Sequence, residues 1–151
     1  MRTHRSLALL ALFLATSTVA GPGSNMTKDG EQFLGGWQLL ALEEMRADGQ
    51  MQAAQCSGML TFTPDGHMSV HVMYLNPTSG SSTYSQGGYE ASFGRYELDS
   101  RNHQFVYHVE GALVRALIGQ SQERRYAFSG DKLIITPVDP AEHWRVTWKR
   151  Y

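Results

Sequence analysis

Apolar and polar residues alternate in short segments along most of the chain, and turn-forming residues separate these segments. Side chains of a strand point alternately to its two faces, so this alternation predicts strands with one buried face. It is clearest near the C-terminus, where Trp144, Val146 and Trp148 share one face and Arg145 lies on the other. Eight segments show a strand-like pattern: 36–46, 57–63, 67–74, 92–99, 104–110, 122–129, 132–136 and 143–149.

This succession predicts an all-β protein, an eight-stranded antiparallel up-and-down barrel with a short N-terminal helix or turn at residues 30–34. A barrel of eight strands is wide enough to hold one small ligand. The clearest hairpin turn is Pro64-Asp65-Gly66, because proline fixes an early φ and glycine accepts a positive one. The apolar loop 112–118 is predicted to cover the barrel mouth. The alternatives are a short helix packed on the barrel wall and a partner-binding patch.

The N-terminus has the pattern of a secretory signal peptide at residues 1–20: basic Arg2 and Arg5, an apolar run at 7–15, and small residues at 18–20. The apolar run is shorter than the roughly 20 residues that span a bilayer, so we expect cleavage and no stable membrane anchor. Residues 21–31 are predicted to form a flexible tail, and residues 32–151 a single barrel domain. The protein is therefore expected in the periplasm or the extracellular medium.

Composition excludes some classes of partner. The chain has 151 residues with 13 basic and 14 acidic side chains, giving a net charge of -1 without a basic patch for nucleic acid. Cys56 is the single cysteine, so no internal disulfide can form. No histidine or cysteine spacing indicates a metal site, and no motif indicates a cofactor. The sequence predicts no particular protein partner.

Several segments resemble the lipocalin-like domain family of bacteria and fungi. They are 35–39 (GGWQL), 58–70 (GMLTFTPDGHMSV), 93–97 (FGRYE), and 148–150 (WKR) near the C-terminus. Their order and spacing extend the resemblance from about residue 33 to residue 151. The resemblance implies an eight-stranded barrel with a central cavity. It also implies that Arg150 packs over Trp37 at the closed end, a cation–π contact of about 0.5–2 kcal/mol.

Three charged residues form the candidate polar site. His108 and Glu110 are two residues apart on one predicted strand and share a face, and Arg124 lies on the next strand. If this face lines the cavity, Arg124 suits a carboxylate or enolate, and His108 with Glu110 suits proton transfer. The alternative is a cross-strand ion pair with a purely structural role.

Methionine and tyrosine side chains on the predicted strands suit a lipophilic ligand with a polar tip. The candidate wall residues are Met68, Tyr74, Tyr96, Tyr107 and Tyr126.

Three functions fit these features. The first is an exported protein that binds a small lipophilic molecule in the barrel. The second is a cofactor-independent isomerase or cyclase that uses the same cavity, with His108 and Glu110 as acid and base. The third is a barrel with a filled interior and no ligand. The sequence leaves open whether the protein is an enzyme.

Overall fold

A computed structural model describes residues 27–76 and 82–151 of the chain; the predicted signal peptide and most of the predicted tail lie outside these residues. Helix α1 spans Lys28–Phe33, and a 3₁₀ turn spans Arg115–Leu117. The described strands are β1 (Gly35–Met45), β2 (Met51–Ala54), β3 (Cys56–Phe62), β4 (His67–Tyr74), β5 (Tyr89–Asp99), β6 (Gln104–Ala112), β7 (Ser121–Ser129), β8 (Lys132–Pro137) and β9 (Trp144–Arg150).

The strands form a closed antiparallel barrel in simple up-and-down order. From β3 to β9 each strand pairs with the next, and β9 pairs with β1, with Trp37 opposite Arg150 and Glu44 opposite Trp144. Strands β2 and β3 pair with successive parts of β1. They therefore act as one interrupted strand, and the predicted eight-stranded barrel is confirmed.

Strand β2 is absent from the sequence-based prediction. Its four residues are mostly exposed and show no apolar alternation, so it carries no local strand signal. The turn at Asp48-Gly49 places it beside the end of β1: Gly49 has a φ of 80°, and Asp48 Oδ1 accepts a hydrogen bond from Gln50 N at 3.0 Å.

Helix α1 closes one end of the barrel. Thr27 caps it, with its Oγ1 accepting a hydrogen bond from Gly30 N at 3.1 Å. Phe33 is fully buried, and its ring centroid lies 4.8 Å from that of Phe62 and 4.7 Å from that of Tyr126. Residues 28–31, which the sequence assigned to a flexible tail, are therefore helical and belong to the barrel's closed end.

The opposite end of the barrel is the mouth. Strand directions place there the segments that adjoin the mouth ends of the strands: residues 46–50, 75–76, 82–88, 113–120 and 138–143. The apolar connection 112–118 forms the 3₁₀ turn, which buries Leu117 and leaves Leu113 and Ile118 exposed. Within the described part of the chain, no helix has the length and apolar character needed to cross a lipid bilayer.

Candidate functional site

The predicted charged triplet is not assembled in the barrel. Burial alternates along β6 so that Phe105 and Tyr107 point inward, while His108 and Glu110 lie on the outer face. His108 Nδ1 lies 2.9 Å from Ser121 Oγ on the outside of β7. Placing His108 and Glu110 in the cavity was therefore wrong, because the more apolar face of β6 is the one that the barrel buries.

Glu110 does not line the cavity; it forms an ion pair with Arg95 on the outer surface of the barrel. Its Oε1 accepts a hydrogen bond from Arg95 Nε at 2.9 Å, and both side chains are substantially exposed. An exposed pair of this kind contributes about 0–1 kcal/mol to stability. Glu110 therefore takes part in a cross-strand ion pair, the structural role that the sequence analysis gave as the alternative, but its partner is Arg95.

Arg124 does point into the barrel, where it is 5% exposed. Its Nη2 donates to Gln122 Oε1 at 2.9 Å and to Tyr84 Oη at 3.0 Å. Its Nη1 donates to Glu123 O at 3.1 Å and lies 3.4 Å from Glu142 Oε1. Arg124 is thus held by protein groups on its own strand and on two mouth loops.

Aromatic rings complete this cluster at the mouth. The guanidinium carbon of Arg124 lies 5.0 Å from the ring centroid of Trp144 and 5.5 Å from that of Tyr84. Trp144 Nε1 donates to Glu142 Oε2 at 2.8 Å, and Tyr84 Oη donates to the same carboxylate. Burial raises the pKa of Tyr84 to about 12, so its hydroxyl stays protonated. The cluster joins Tyr84, in the segment before β5, to Glu142 in loop 138–143 across the mouth.

The barrel encloses a cavity of about 100 Å³ beneath this cluster. Its polar side chains lie toward the mouth and include Glu44, Tyr74, Tyr84, Glu90, Gln122 and Arg124. Its apolar walls include Leu60, Met68, Val72, Phe105, Ile135 and Trp148. A second pocket of about 450 Å³ adjoins it and shares Glu44, Tyr74 and Ser82, so the cavity opens outward through a polar vestibule.

The predicted wall residues divide into two groups. Met68, Tyr74 and Tyr107 line the cavity. Tyr107 Oη donates a hydrogen bond to Ser92 Oγ at 2.9 Å, and burial raises the pKa of Tyr107 to about 12.

Tyr96 and Tyr126 do not line this cavity. Both pack in the aromatic cluster around Phe33 at the closed end, and Tyr126 Oη donates to Asp29 Oδ2 at 2.6 Å. Assigning them to the cavity wall was wrong because α1 fills that end of the barrel.

The predicted structural pair is present: Arg150 lies over Trp37.

Glu90 and Glu44 are two cavity carboxylates that sequence reasoning missed. The pKa of the Glu90 carboxyl group is raised to about 7, chiefly by burial; the charge of Arg124 opposes this shift and the charge of Glu44 adds to it. The residue is half-buried, and its carboxyl group lines the cavity. Its backbone pairs with Val72 of β4, whereas its carboxyl group makes no hydrogen bond or ion pair with another residue of 27–76 and 82–151. The sequence did hold a signal for its position. Glu90 lies two residues before the inward-facing Ser92, and residues two apart on a strand share a face.

Glu44 is the second cavity carboxylate. Its Oε1 accepts a hydrogen bond from Tyr74 Oη at 2.7 Å, and burial together with this bond raises the pKa of Tyr74. Glu44 lies near the end of β1, at the boundary between the cavity and the vestibule.

Metal-ligating and nucleophilic groups are not gathered at this site. Among the described residues, no cluster of three or more His, Cys, Asp or Glu side chains could hold a metal ion. Burial raises the pKa of Cys56 to about 11, which keeps its thiol protonated near neutral pH.

A family model described as a lipocalin-like domain matches residues 34–151. No curated protein shows significant similarity. Similar solved structures include a lipocalin-like protein from Bacteroides uniformis, with 15% identity, a TM-score of 0.49, and coverage of 80% of this chain and 99% of that chain. An uncharacterized protein from Bacteroides eggerthii has 15% identity, a TM-score of 0.47, and coverage of 79% and 99% respectively.

Proposed function

The chain belongs to the lipocalin-like domain family, and from this membership we propose that it binds a small, largely apolar molecule in its barrel. The observation that carries the proposal is the cavity of about 100 Å³ that opens into the vestibule at the mouth. Its walls are mainly apolar, so transfer of an apolar group from water into it is favourable.

The dimensions limit which part of the ligand is enclosed. Pockets for drug-sized molecules are about 300–1,000 Å³, whereas an apolar cavity of about 150 Å³ is known to take up benzene. A cavity of about 100 Å³ therefore accepts one small apolar end of a molecule. The remainder would lie in the vestibule, which is lined by polar residues such as Gln52 and Gln55.

Binding is favoured over catalysis by where the acid and base candidates lie. The isomerase or cyclase alternative requires His108 and Glu110 beside the ligand. Both side chains are on the outer face of β6. We therefore propose a carrier or sequestering protein.

Tryptophan fluorescence provides a direct test, because Trp144 and Trp148 both line the cavity. A neutral aromatic probe such as 2-phenylethanol should change the emission saturably. Val72→Phe, which places a larger side chain in the cavity, should abolish the response. Met73→Phe, at the next and outward-facing position of β4, is the matched control and should bind like the wild type. An unchanged response in Val72→Phe would contradict binding in the barrel.

Export is part of the same proposal. It is supported by the basic start, apolar run and small residues of segment 1–20. Expression of the full chain in its own host, followed by the intact mass of the product and of each cell fraction, tests it. Cleavage after Ala20 with product outside the cytoplasm is expected, and an uncleaved cytoplasmic product would contradict it.

A further inference from the structure

We propose that the ligand is an amine: a molecule with a small apolar end in the cavity and a positively charged nitrogen held by the carboxylates of Glu90 and Glu44. This inference rests on the proposed function, since it takes the cavity as the binding site. It adds the chemical class of the ligand and the residues that select it.

The charges around the cavity are unequal. Glu44 and Glu90 line it directly, and Arg124 is the one basic residue among the described residues of its lining. Arg124 already lies 3.4 Å from the carboxylate of Glu142. Arg46 lies on the vestibule and is exposed to solvent. Arg124 is near enough to lower the pKa of Glu90, but its ion pair is with Glu142. Among the described residues, neither cavity carboxylate has a basic side chain at ion-pair distance.

Arg124 is a poor anchor for an anionic ligand because most of its donors are used. A guanidinium group has five N–H donors. Glu123 and Glu142 engage Nη1, and Gln122 and Tyr84 engage Nη2. A carboxylate ligand would have to displace these partners and would also approach Glu90 and Glu44, which repel it.

The unpaired carboxyl group of Glu90 favours a cation. Burying an ionised carboxylate is costly unless it is paired and hydrogen-bonded. In the protein alone that cost appears as the raised pKa of Glu90. An ammonium group supplies both an opposite charge and hydrogen-bond donors, while Glu44 accepts a bond from Tyr74 and still has lone pairs available.

The vestibule gives such a ligand room to enter with its nitrogen near the acidic groups. Glu44 and Tyr74 belong to both the cavity and the vestibule. A nitrogen at this boundary leaves the apolar end directed toward the deeper walls, where Phe105 and Trp148 lie. One orientation of an amphiphilic amine therefore satisfies both parts of the site.

Three probes that share a phenyl ring and differ in charge test the inference: 2-phenylethylamine, 2-phenylethanol and phenylacetate. Each is titrated into the full mature protein near pH 8, and binding is followed by tryptophan fluorescence and calorimetry. The amine should bind about tenfold or more tightly than the alcohol, because hydrogen bonds to charged groups are stronger than neutral ones. Phenylacetate should bind most weakly.

Substitution of the carboxylates identifies the groups responsible. Glu90→Gln and Glu44→Gln should each lower the affinity for the amine by about tenfold and leave the affinity for the alcohol nearly unchanged. Glu110→Gln, on the outer face of the barrel, is the matched control and should alter neither. Using both cavity variants keeps the test informative if one of them folds poorly.

The outcomes separate the two proposals. If the alcohol binds in the barrel but the amine shows no preference, or phenylacetate binds best, the amine inference is overturned and the binding function stands. Equal loss of all three probes in Glu90→Gln would also overturn it, since the role of Glu90 would then be structural. If no probe binds to the wild-type protein, both proposals fail.

Discussion

The guanidinium carbon of Arg150 lies 3.8 Å from the centroid of the Trp37 indole ring. The two residues are also opposite each other where β9 pairs with β1. Arg150 donates hydrogen bonds to the backbone carbonyl oxygens of Leu34 and Gln32. One side chain thus connects the first strand, the last strand and the end of α1.

Arg150→Ala should therefore lower the free energy of unfolding. The cation–π contact contributes about 0.5–2 kcal/mol, and each of the two hydrogen bonds about 0.5–1.5 kcal/mol, so we expect a loss of about 2–4 kcal/mol. Arg150→Lys keeps the charge but not the planar fork and should be intermediate. Urea unfolding measures the differences, and a loss below about 0.5 kcal/mol in Arg150→Ala would contradict the role assigned to this residue.

This closed-end pair was expected from the resemblance to the lipocalin-like family, which includes segments 35–39 and 148–150, where its two residues lie. The alternation in β9 likewise predicted that Val146 and Trp148 share the inner face, and both are buried. Alternation of apolar and polar residues is visible within a single strand. In a barrel of simple up-and-down order each strand pairs with the next along the chain, so these local patterns are enough to predict the fold.

The mouth could not be predicted in the same way. Tyr84 and Arg124 contact each other across 40 residues of sequence, and Tyr84 contacts Glu142 across 58. Such contacts depend on how two loops meet after the barrel has closed. Glu90 was missed because β5 begins at Tyr89, three residues before the predicted start of the strand at residue 92, so Glu90 lay outside every predicted strand.

Gly94 allows close approach of two strands. The register of β5 against β6 shifts between Phe93 and Gly94, and a Cβ at position 94 would lie 2.0 Å from His108 O. Gly94→Ala should therefore force backbone displacement and lower stability by about 2–4 kcal/mol. Gly36→Ala is the matched control, because there a Cβ would meet only the Tyr151 ring, at 3.2 Å. Equal stability of the two variants by thermal and urea unfolding would contradict this account.

Arg124 and Arg125 are adjacent on β7 and point to opposite faces. Arg124→Ala should leave the carboxylate of Glu142 without its cation and Tyr84 without a donor, lowering stability by about 3 kcal/mol. Arg125→Ala, which loses one hydrogen bond to Pro137 O at 3.3 Å, should cost about 1 kcal/mol or less.

Hydrogen exchange tests whether Arg124 also orders the mouth. Amide protection in residues 82–88 should fall in Arg124→Ala and remain unchanged in Arg125→Ala. Equal protection in both variants would show that Tyr84 is held without Arg124.

Glu90 gives the barrel a distinct dependence on pH. Its pKa in the folded protein is about 7, above its ordinary value of 4.5, so the folded state holds this proton more tightly than the unfolded state. Between these two values the contribution of Glu90 to stability falls as pH rises. The charged and titratable groups that share its cavity are Glu44 of β1, Tyr74 of β4, Tyr107 of β6 and Arg124 of β7, with Tyr84 at the mouth.

Glu90→Gln removes the titration while keeping the shape of the side chain. One pKa unit corresponds to about 1.4 kcal/mol, so the variant should be more stable than the wild type by up to about 3 kcal/mol near pH 8. The gain should shrink toward zero near pH 4, where Glu90 is protonated in both states. Glu110→Gln, on the outer face, should show no such trend. Urea unfolding of the three proteins across this range measures the effect; a difference independent of pH would mean that Glu90 does not titrate in the enclosed environment that its position implies.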